Sequence, residues 1–289
     1  MKRFRVLLLT PPMVQFNTPY AATPLLTAFL RQQGVITRQA DLACDLALRL
    51  FSPDGLDRLR KALRVSGIRT PATSFFLARF DEYRRTIGPA IRFLQGRSPG
   101  RAEKIVRRSF FPEGRRFHVL NDLATAGLAP FQKDPASMAR YLASLYLDDL
   151  GDVLSDATGG DFGLARYAER LAAVAPSFTP LLRKLRAPPT FADRILDERV
   201  ADLLRTFRPD LVGLTLPFPG TVYGGFRIAQ TLRRLAPAVR IAAGGGYVST
   251  ELRSLTDPRV FEFLDFLLFD DGEQPLLRLI QHLRGDEPK

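Results

Sequence analysis

The chain has 289 residues, 46% hydrophobic and 25% charged, which is typical of a globular protein and predicts one or two domains. No apolar run approaches the roughly 18–20 residues that a membrane-spanning helix needs, which argues against an integral membrane protein. The net charge of +12 is concentrated between Phe51 and Arg116, where 16 Lys and Arg face 6 Asp and Glu.

The basic segment Arg101–Arg108 is of the kind that attracts polyanions. It contains no motif of a nucleic-acid-binding fold, so we expect no specific nucleic-acid binding. The apolar stretch Val6–Leu9 ends at Thr10, too early for a secretory signal, which predicts a cytoplasmic protein.

Cys44 is the only cysteine. A single cysteine excludes an internal disulfide, a multi-cysteine zinc site and an iron–sulfur cluster held by cysteines of this chain alone. We therefore expect Cys44 to be a small apolar residue of a helix.

The N-terminal residues predict a βαβ unit. An apolar strand, Phe4–Leu9, is followed by a helix, Thr23–Gln33, which Gly34 ends. A second strand, Val35–Ala40, leads into a helix over Asp41–Phe51. Units of this kind build parallel sheets.

The region 52–193 interrupts this alternation, contains no convincing strand and is predicted to be an α-helical insertion or subdomain. Its helical patterns cover Phe75–Ile91, Ala136–Leu150 and Leu164–Val174. We therefore assign residues 1–51 and 194–289 to one α/β domain.

The C-terminal third resumes the strand–helix alternation and brings the total to five strands. The predicted elements are helix Ile195–Phe207, strand Leu211–Leu216, helix Tyr223–Leu235, strand Val239–Ala243, helical stretches Thr250–Leu255 and Arg259–Leu264, strand Phe266–Phe269 and helix Pro275–Arg284.

Unusual residues gather where four of these strands end. Thr10-Pro11-Pro12, Thr215-Leu216-Pro217, Gly244-Gly245-Gly246 and Asp271-Gly272-Glu273 follow strands one, three, four and five. Open parallel sheets bind ligands beyond the carboxyl ends of their strands, so we expect a ligand at this edge. No GxGxxG fingerprint follows the first strand and no phosphate loop exists, which disfavours NAD, FAD and ATP in their usual modes.

The same blocks resemble the N-terminal cobalamin-binding domain of cobalamin-dependent radical S-adenosylmethionine proteins. The resemblance lies in Val6–Pro12 with Thr23–Leu30, in Arg208–Gly220, in Ile241–Tyr247 and in Asp271–Leu276. It covers about half the chain and omits the helical middle.

The resemblance implies a flavodoxin-like, Rossmann-like sheet of strand order 2-1-3-4-5 that holds cobalamin at its carboxyl edge. The loop after strand one would face the corrin ring, and the loops after strands three and four would lie beside the nucleotide tail, with Gly245 against it. The implied cofactor-binding residues are Thr10, Pro11, Pro12, Thr215, Leu216, Pro217, Gly244, Gly245, Gly246, Tyr247, Asp271, Gly272 and Glu273.

Two features depart from such proteins. Neither His118 nor His282 lies in the Asp-x-His-x-x-Gly motif of classical cobalamin domains, and the CxxxCxxC triad of the radical catalytic domain is absent. The resemblance thus implies a 4Fe-4S cluster and S-adenosylmethionine only in a partner domain, in cis or in trans, and this chain alone is not a complete enzyme. Two alternatives remain: a cofactor-less interaction or regulatory module, and a stand-alone nucleotide-sugar transferase that uses Asp271 or Glu273.

Overall fold

The computed structural model describes residues 4–14, 20–120, 134–163, 166–167 and 177–286. The chain divides into two compact units, one formed by residues 1–46 with 165–289 and the other by residues 47–164. The boundaries predicted from the sequence, 52 and 193, differ from these at both ends. No helix within the described ranges combines the length and apolar character that a bilayer crossing requires.

The chain begins with the predicted βαβ unit. Strand β1 (Arg5–Thr10) is followed by helix α1 (Ala22–Gln32), strand β2 (Ile36–Asp41) and helix α2 (Leu42–Leu50). The Asp41 carboxylate accepts hydrogen bonds from the backbone amides of Ala43 and Cys44, which caps α2. Each observed boundary lies within one residue of the predicted one.

Residues 47–164 are mainly helical in the described part of the chain. The helices are α3 (Pro53–Ser66), α4 (Pro71–Ala78), α5 (Phe80–Leu94), α6 (Ala102–Val106) and α7 (Pro135–Ala157), with 3-10 turns at Pro99–Arg101 and Arg115–His118. Side chains of Ser52, Thr70 and Asp134 cap α3, α4 and α7, and each helix has proline in its first turn.

Two expectations for the middle of the chain are corrected. The single pattern Phe75–Ile91 forms two helices, α4 and α5, which meet at Arg79. Two short strands, β3 (Phe162–Gly163) and β4 (Arg166–Tyr167), occur where none was predicted. β4 also falls within the helix predicted over Leu164–Val174, and residues 168–174 lie outside the described residues. Two-residue strands are too short to show an alternating pattern in the sequence.

The remaining elements belong to the unit that contains β1. They are helices α8 (Thr179–Arg186) and α9 (Phe191–Phe207), strand β5 (Leu211–Thr215), helix α10 (Pro219–Leu235), strand β6 (Arg240–Gly244), helix α11 (Gly246–Thr250), a 3-10 turn at Pro258–Glu262, strand β7 (Phe266–Leu267) and helix α12 (Glu273–Arg284). Helix α9 starts four residues before the predicted Ile195, because Thr190 and Asp193 form a reciprocal capping box.

Strands β1, β2, β5, β6 and β7 form one parallel sheet in the order β2-β1-β5-β6-β7. The number sequence differs from the expected 2-1-3-4-5 because β3 and β4 precede the third strand of this sheet in the chain. The protein is thus an α/β protein with a five-stranded parallel sheet, consistent with a Rossmann-like or flavodoxin-like fold.

One face of the sheet packs against α1 and α12. Its core contains Val6 and Leu8 of β1, Leu30 of α1, Leu211 of β5 and Ile280 of α12, all buried. Because the carboxyl ends of parallel strands meet at one edge, the loops after β1, β5, β6 and β7 leave the sheet on the same side.

Candidate functional site

A cavity of about 400 Å³ opens at the carboxyl edge of the sheet, on the face covered by α1 and α12. It lies wholly within the unit formed by residues 1–46 and 165–289. The lining comes from β1, the start of α1, β5, the β6–α11 loop and the β7–α12 loop. This is the edge at which the sequence predicts a ligand.

The floor of the cavity is apolar. Leu8 on β1 is in register with Gly213 on β5, which in turn is in register with Ala242 on β6. All three residues line the cavity. A Cβ on Gly213 would lie 2.7 Å from Leu8 Cδ2, so the leucine side chain covers this glycine and the row forms an apolar floor.

The mouth of the cavity has an apolar rim. Leu25 of α1 lines the cavity and is 61% exposed, and Tyr20 also contributes to the lining. Phe218 is 55% exposed and meets the edge of the Tyr20 ring at a centroid distance of 5.9 Å. Exposed apolar side chains that cluster at a cavity mouth mark a binding surface more often than scattered ones do.

Several polar side chains line the cavity beside this apolar surface, among them Thr215, Asp271 and Glu273. Thr215, at the end of β5, is only 6% exposed and lines the cavity. Asp271 and Glu273 line it from the β7–α12 loop and the first turn of α12. Hydroxyl and carboxylate oxygens accept hydrogen bonds from ligand hydroxyl, amide or amine groups.

The glycine loop after β6 serves two different purposes. Gly245 has a φ of +108°, and a Cβ there would lie 2.8 Å from the carbonyl oxygen of Leu216. The Leu216 backbone passes so close to position 245 that glycine is required there whether or not a ligand is bound. Gly244 has no positive φ, and a Cβ there would meet only ordinary contacts, 3.4 Å from the Leu268 carbonyl oxygen. At Gly244 the missing side chain leaves open space in the cavity instead.

Seven of the thirteen predicted site residues line the cavity: Thr215, Gly244, Gly245, Gly246, Asp271, Gly272 and Glu273. The other six are placed elsewhere.

Thr10, Pro11 and Pro12, at the end of β1 and directly after it, lie outside the cavity lining. Thr10 is 1% exposed, and its hydroxyl is hydrogen-bonded to the Thr23 hydroxyl at 3.0 Å, so it does not offer a free group to a ligand. Pro11 and Pro12 are buried against α10, where a Cβ on Gly224 would lie 2.2 Å from the Pro12 carbonyl oxygen. These three residues fix the loop to the fold.

Leu216, Pro217 and Tyr247 also lie outside the cavity lining. Leu216 is fully buried, and its backbone donates to the Gly244 carbonyl at 2.7 Å and accepts from the Tyr247 amide at 3.1 Å. Pro217 is buried beside Gly246, whose Cβ would lie 3.0 Å from the Pro217 carbonyl oxygen. Tyr247 is half-buried, and burial raises the pKa of its phenol.

Sequence reasoning missed the floor and the rim. One signal was available for the floor, because a glycine inside an apolar strand, as at Gly213, often marks a place where another group approaches closely. No signal distinguished Tyr20, Leu25 or Phe218, because single apolar residues in loops and helices are common.

The described residues hold no arrangement of three or more His, Cys, Asp or Glu side chains that would bind a metal ion. Cys44 is exposed on α2, and partial burial together with the nearby Asp41 and Asp45 carboxylates raises the pKa of its thiol. A raised pKa disfavours the reactive thiolate.

We compared the chain with protein-family models, with curated proteins and with solved structures, and none of the three comparisons gave a match.

Proposed function

We propose that this chain is a cobalamin-binding module that presents the cofactor to a radical S-adenosylmethionine catalytic domain, in cis or in trans. The observation that carries the proposal is the open cavity at the carboxyl edge of the sheet, with its floor of Leu8, Gly213 and Ala242. All four sequence blocks that resemble cobalamin-binding domains contribute residues to the cavity lining. The first of them contributes Leu8 and the start of α1.

The size of the cavity limits which part of the cofactor fits. A volume of about 400 Å³ is within the range of small-molecule pockets but is too small for a whole corrin macrocycle. It suits the flat benzimidazole and the ribose at the end of the nucleotide tail. The apolar floor would take the ring, and Thr215 and Glu273 would accept hydrogen bonds from the ribose hydroxyls.

The corrin ring would then lie outside the cavity, at its mouth. The exposed apolar rim of Tyr20, Leu25 and Phe218 offers a surface for that ring and would keep water away from it. Cobalamin supplies a transferable group on its cobalt, whereas the chain supplies orientation and the exclusion of solvent. With one cysteine, the iron–sulfur cluster and the chemistry of S-adenosylmethionine belong to the partner.

The helical unit, residues 47–164, follows β2 and precedes β5 in the chain. We infer that it is an insertion in the cobalamin-binding module, as the pattern of the sequence predicts. Its aromatic core, in which the Tyr146 ring stacks on Tyr83 and Phe111, gives it a hydrophobic core of its own.

The nucleotide-sugar transferase alternative is less well supported by the cavity. Diphosphates are usually held by arginine, lysine or a metal ion, and no arginine or lysine is among the described residues that line the cavity. The interaction-module alternative differs from our proposal in a single measurable property, the affinity for cobalamin.

The test is a titration of the purified protein with hydroxocobalamin, followed by visible absorbance and equilibrium dialysis. We expect saturable one-to-one binding. Cobinamide, which lacks the nucleotide tail, serves as the matched ligand and should bind at least tenfold more weakly. Absence of hydroxocobalamin binding would refute the proposal and leave the interaction module. Equal affinity for cobinamide would place the tail outside the cavity.

A further inference from the structure

The charged groups among the described residues that line the cavity are all carboxylates. They are Asp270, Asp271 and Glu273, and no lysine or arginine joins them in the described lining. This is unexpected for a chain with 42 basic and 30 acidic residues. A cavity that binds a phosphate group normally brings basic side chains to it.

Two of the three carboxylates are free to interact with a ligand. Asp270 forms an ion pair with Arg253, which neutralises it locally. Among the described residues, neither Asp271 nor Glu273 has a hydrogen-bond or ion-pair partner, although Glu273 is half-buried. Their charges therefore act on whatever enters the cavity.

Thr215 provides an independent observation. Its side chain is more than nine-tenths buried, yet within the described ranges its hydroxyl has no hydrogen-bond partner, and the residue lines the cavity. A hydroxyl in this position suits a ligand group that can donate or accept a hydrogen bond.

We infer that this cavity selects its ligand by charge: it admits neutral or cationic groups rich in hydrogen-bond donors, such as the hydroxyls of a ribonucleoside, and rejects phosphate. Asp271 and Glu273 are the specificity-determining residues. The inference rests on the proposal that this cavity is the ligand site, but it does not depend on the ligand being cobalamin. For cobalamin it means that the nucleoside enters and the phosphodiester stays outside.

Two fluorescent probes of nearly the same shape provide the test. N-phenyl-1-naphthylamine is neutral, and 8-anilinonaphthalene-1-sulfonate carries one negative charge; both become fluorescent in apolar cavities. Each would be titrated at low ionic strength into the full-length protein and into the double variant Asp271→Asn/Glu273→Gln. A Gly244→Val variant, which narrows the cavity, identifies the signal that comes from this site.

The control for net charge is Asp202→Asn/Glu262→Gln. It removes two negative charges as well, but neither residue lines the cavity. This control is needed because the anionic probe also binds arginine-rich surfaces, and that background depends on overall charge.

We expect the double variant Asp271→Asn/Glu273→Gln to bind the anionic probe about tenfold more tightly, the effect of removing two repulsions across about 6 Å of water-like dielectric. Its affinity for the neutral probe should stay within about twofold, and Gly244→Val should weaken both probes. An unchanged affinity for the anionic probe, or an equal gain in the control variant, would overturn the inference. An affinity for the neutral probe that is unchanged in Gly244→Val would also overturn it. Failure of the hydroxocobalamin titration alone would refute only the proposed function.

Discussion

Two adjacent glycines at the end of β6, Gly244 and Gly245, allow a direct test of which residue is needed for ligand binding and which for the fold. The perturbation is valine, placed separately at Gly244 and at Gly245. Gly244 is the last residue of a strand and has no positive φ, and its Cβ would be 3.4 Å from the nearest atom, so valine fits the backbone. Valine is also favoured in strands, and we expect the apo protein to keep its stability or to gain up to about 1 kcal/mol.

Gly245 should respond in the opposite way. Its φ of +108° and ψ of 177° lie in a region that is essentially restricted to glycine, at a cost of about 1–3 kcal/mol for other residues. The Cβ would also lie 2.8 Å from the Leu216 carbonyl oxygen, and overpacking adds about 1–3 kcal/mol. The sum of roughly 2–6 kcal/mol corresponds to a melting temperature lower by about 5–15 °C.

The assay combines apo melting curves with titrations of hydroxocobalamin. Gly244→Val should lower the affinity for hydroxocobalamin at least tenfold at unchanged stability, because its methyl groups occupy the cavity. Wild-type affinity in Gly244→Val would refute the assignment of the cavity as the cofactor site. If the Gly245→Val protein has the melting temperature of the wild type, the explanation by backbone strain at Gly245 is wrong.

The helical unit allows two further predictions. Asp149 accepts the Gly114 amide at 2.8 Å and the Arg116 amide at 2.9 Å, so Asp149→Asn, which turns an N–H toward one of these donors, should lower the free energy of unfolding by about 2–3 kcal/mol in urea denaturation. The matched variant Asp152→Asn breaks a half-exposed ion pair with Arg116 and should cost less than about 1 kcal/mol; equal losses would contradict the buried-acceptor explanation. Burial raises the pKa of Asp148 above its ordinary value of 3.8; Arg116 opposes the rise and the Asp152 carboxylate adds to it. The native state therefore keeps this proton to higher pH than the unfolded state and loses stability as pH rises through the native pKa. Urea denaturation of wild type and Asp148→Asn from about pH 4 to 7 should show the variant gaining relative stability as pH rises, and a constant difference would be evidence against the raised pKa.

The sequence predicts the sheet well because its strands carry strong local signals. The apolar run before Thr10 and the alternation of strands with helices identify the five strands of the parallel sheet, and Gly34 marks the end of α1. The predicted start of α9, Ile195, was wrong by four residues, although Thr190 and Asp193 have the spacing of a capping box and could have indicated the true start. Strands β3 and β4 could not be predicted, because two residues are too few to show the alternation of apolar and polar residues that marks a strand.

Only about half of the predicted site residues line the cavity, because closeness to a strand end in the sequence does not determine which way a loop turns. Pro11 and Pro12 directly follow β1 at the edge where Thr215 ends β5, yet they pack against α10. The small residues that allow this packing, Gly224 and Gly225, lie more than 200 residues further along the chain. Only the tertiary structure shows that Pro11 and Pro12 pack against α10 and do not line the cavity.

The same reasoning applies to glycine as a sign of ligand binding. In the run Gly244-Gly245-Gly246, the second residue is required by the Leu216 backbone and the third lies close to the Pro217 carbonyl, so neither needs a ligand to explain it. Gly244, whose small size the packing does not explain, joins Ala242 on β6 and Gly213 on β5 to form one continuous apolar surface. These positions are separated in the sequence and become neighbours only when β5 pairs with β6. A ligand site of this kind is formed by small residues on neighbouring strands. It therefore has to be identified from the assembled sheet.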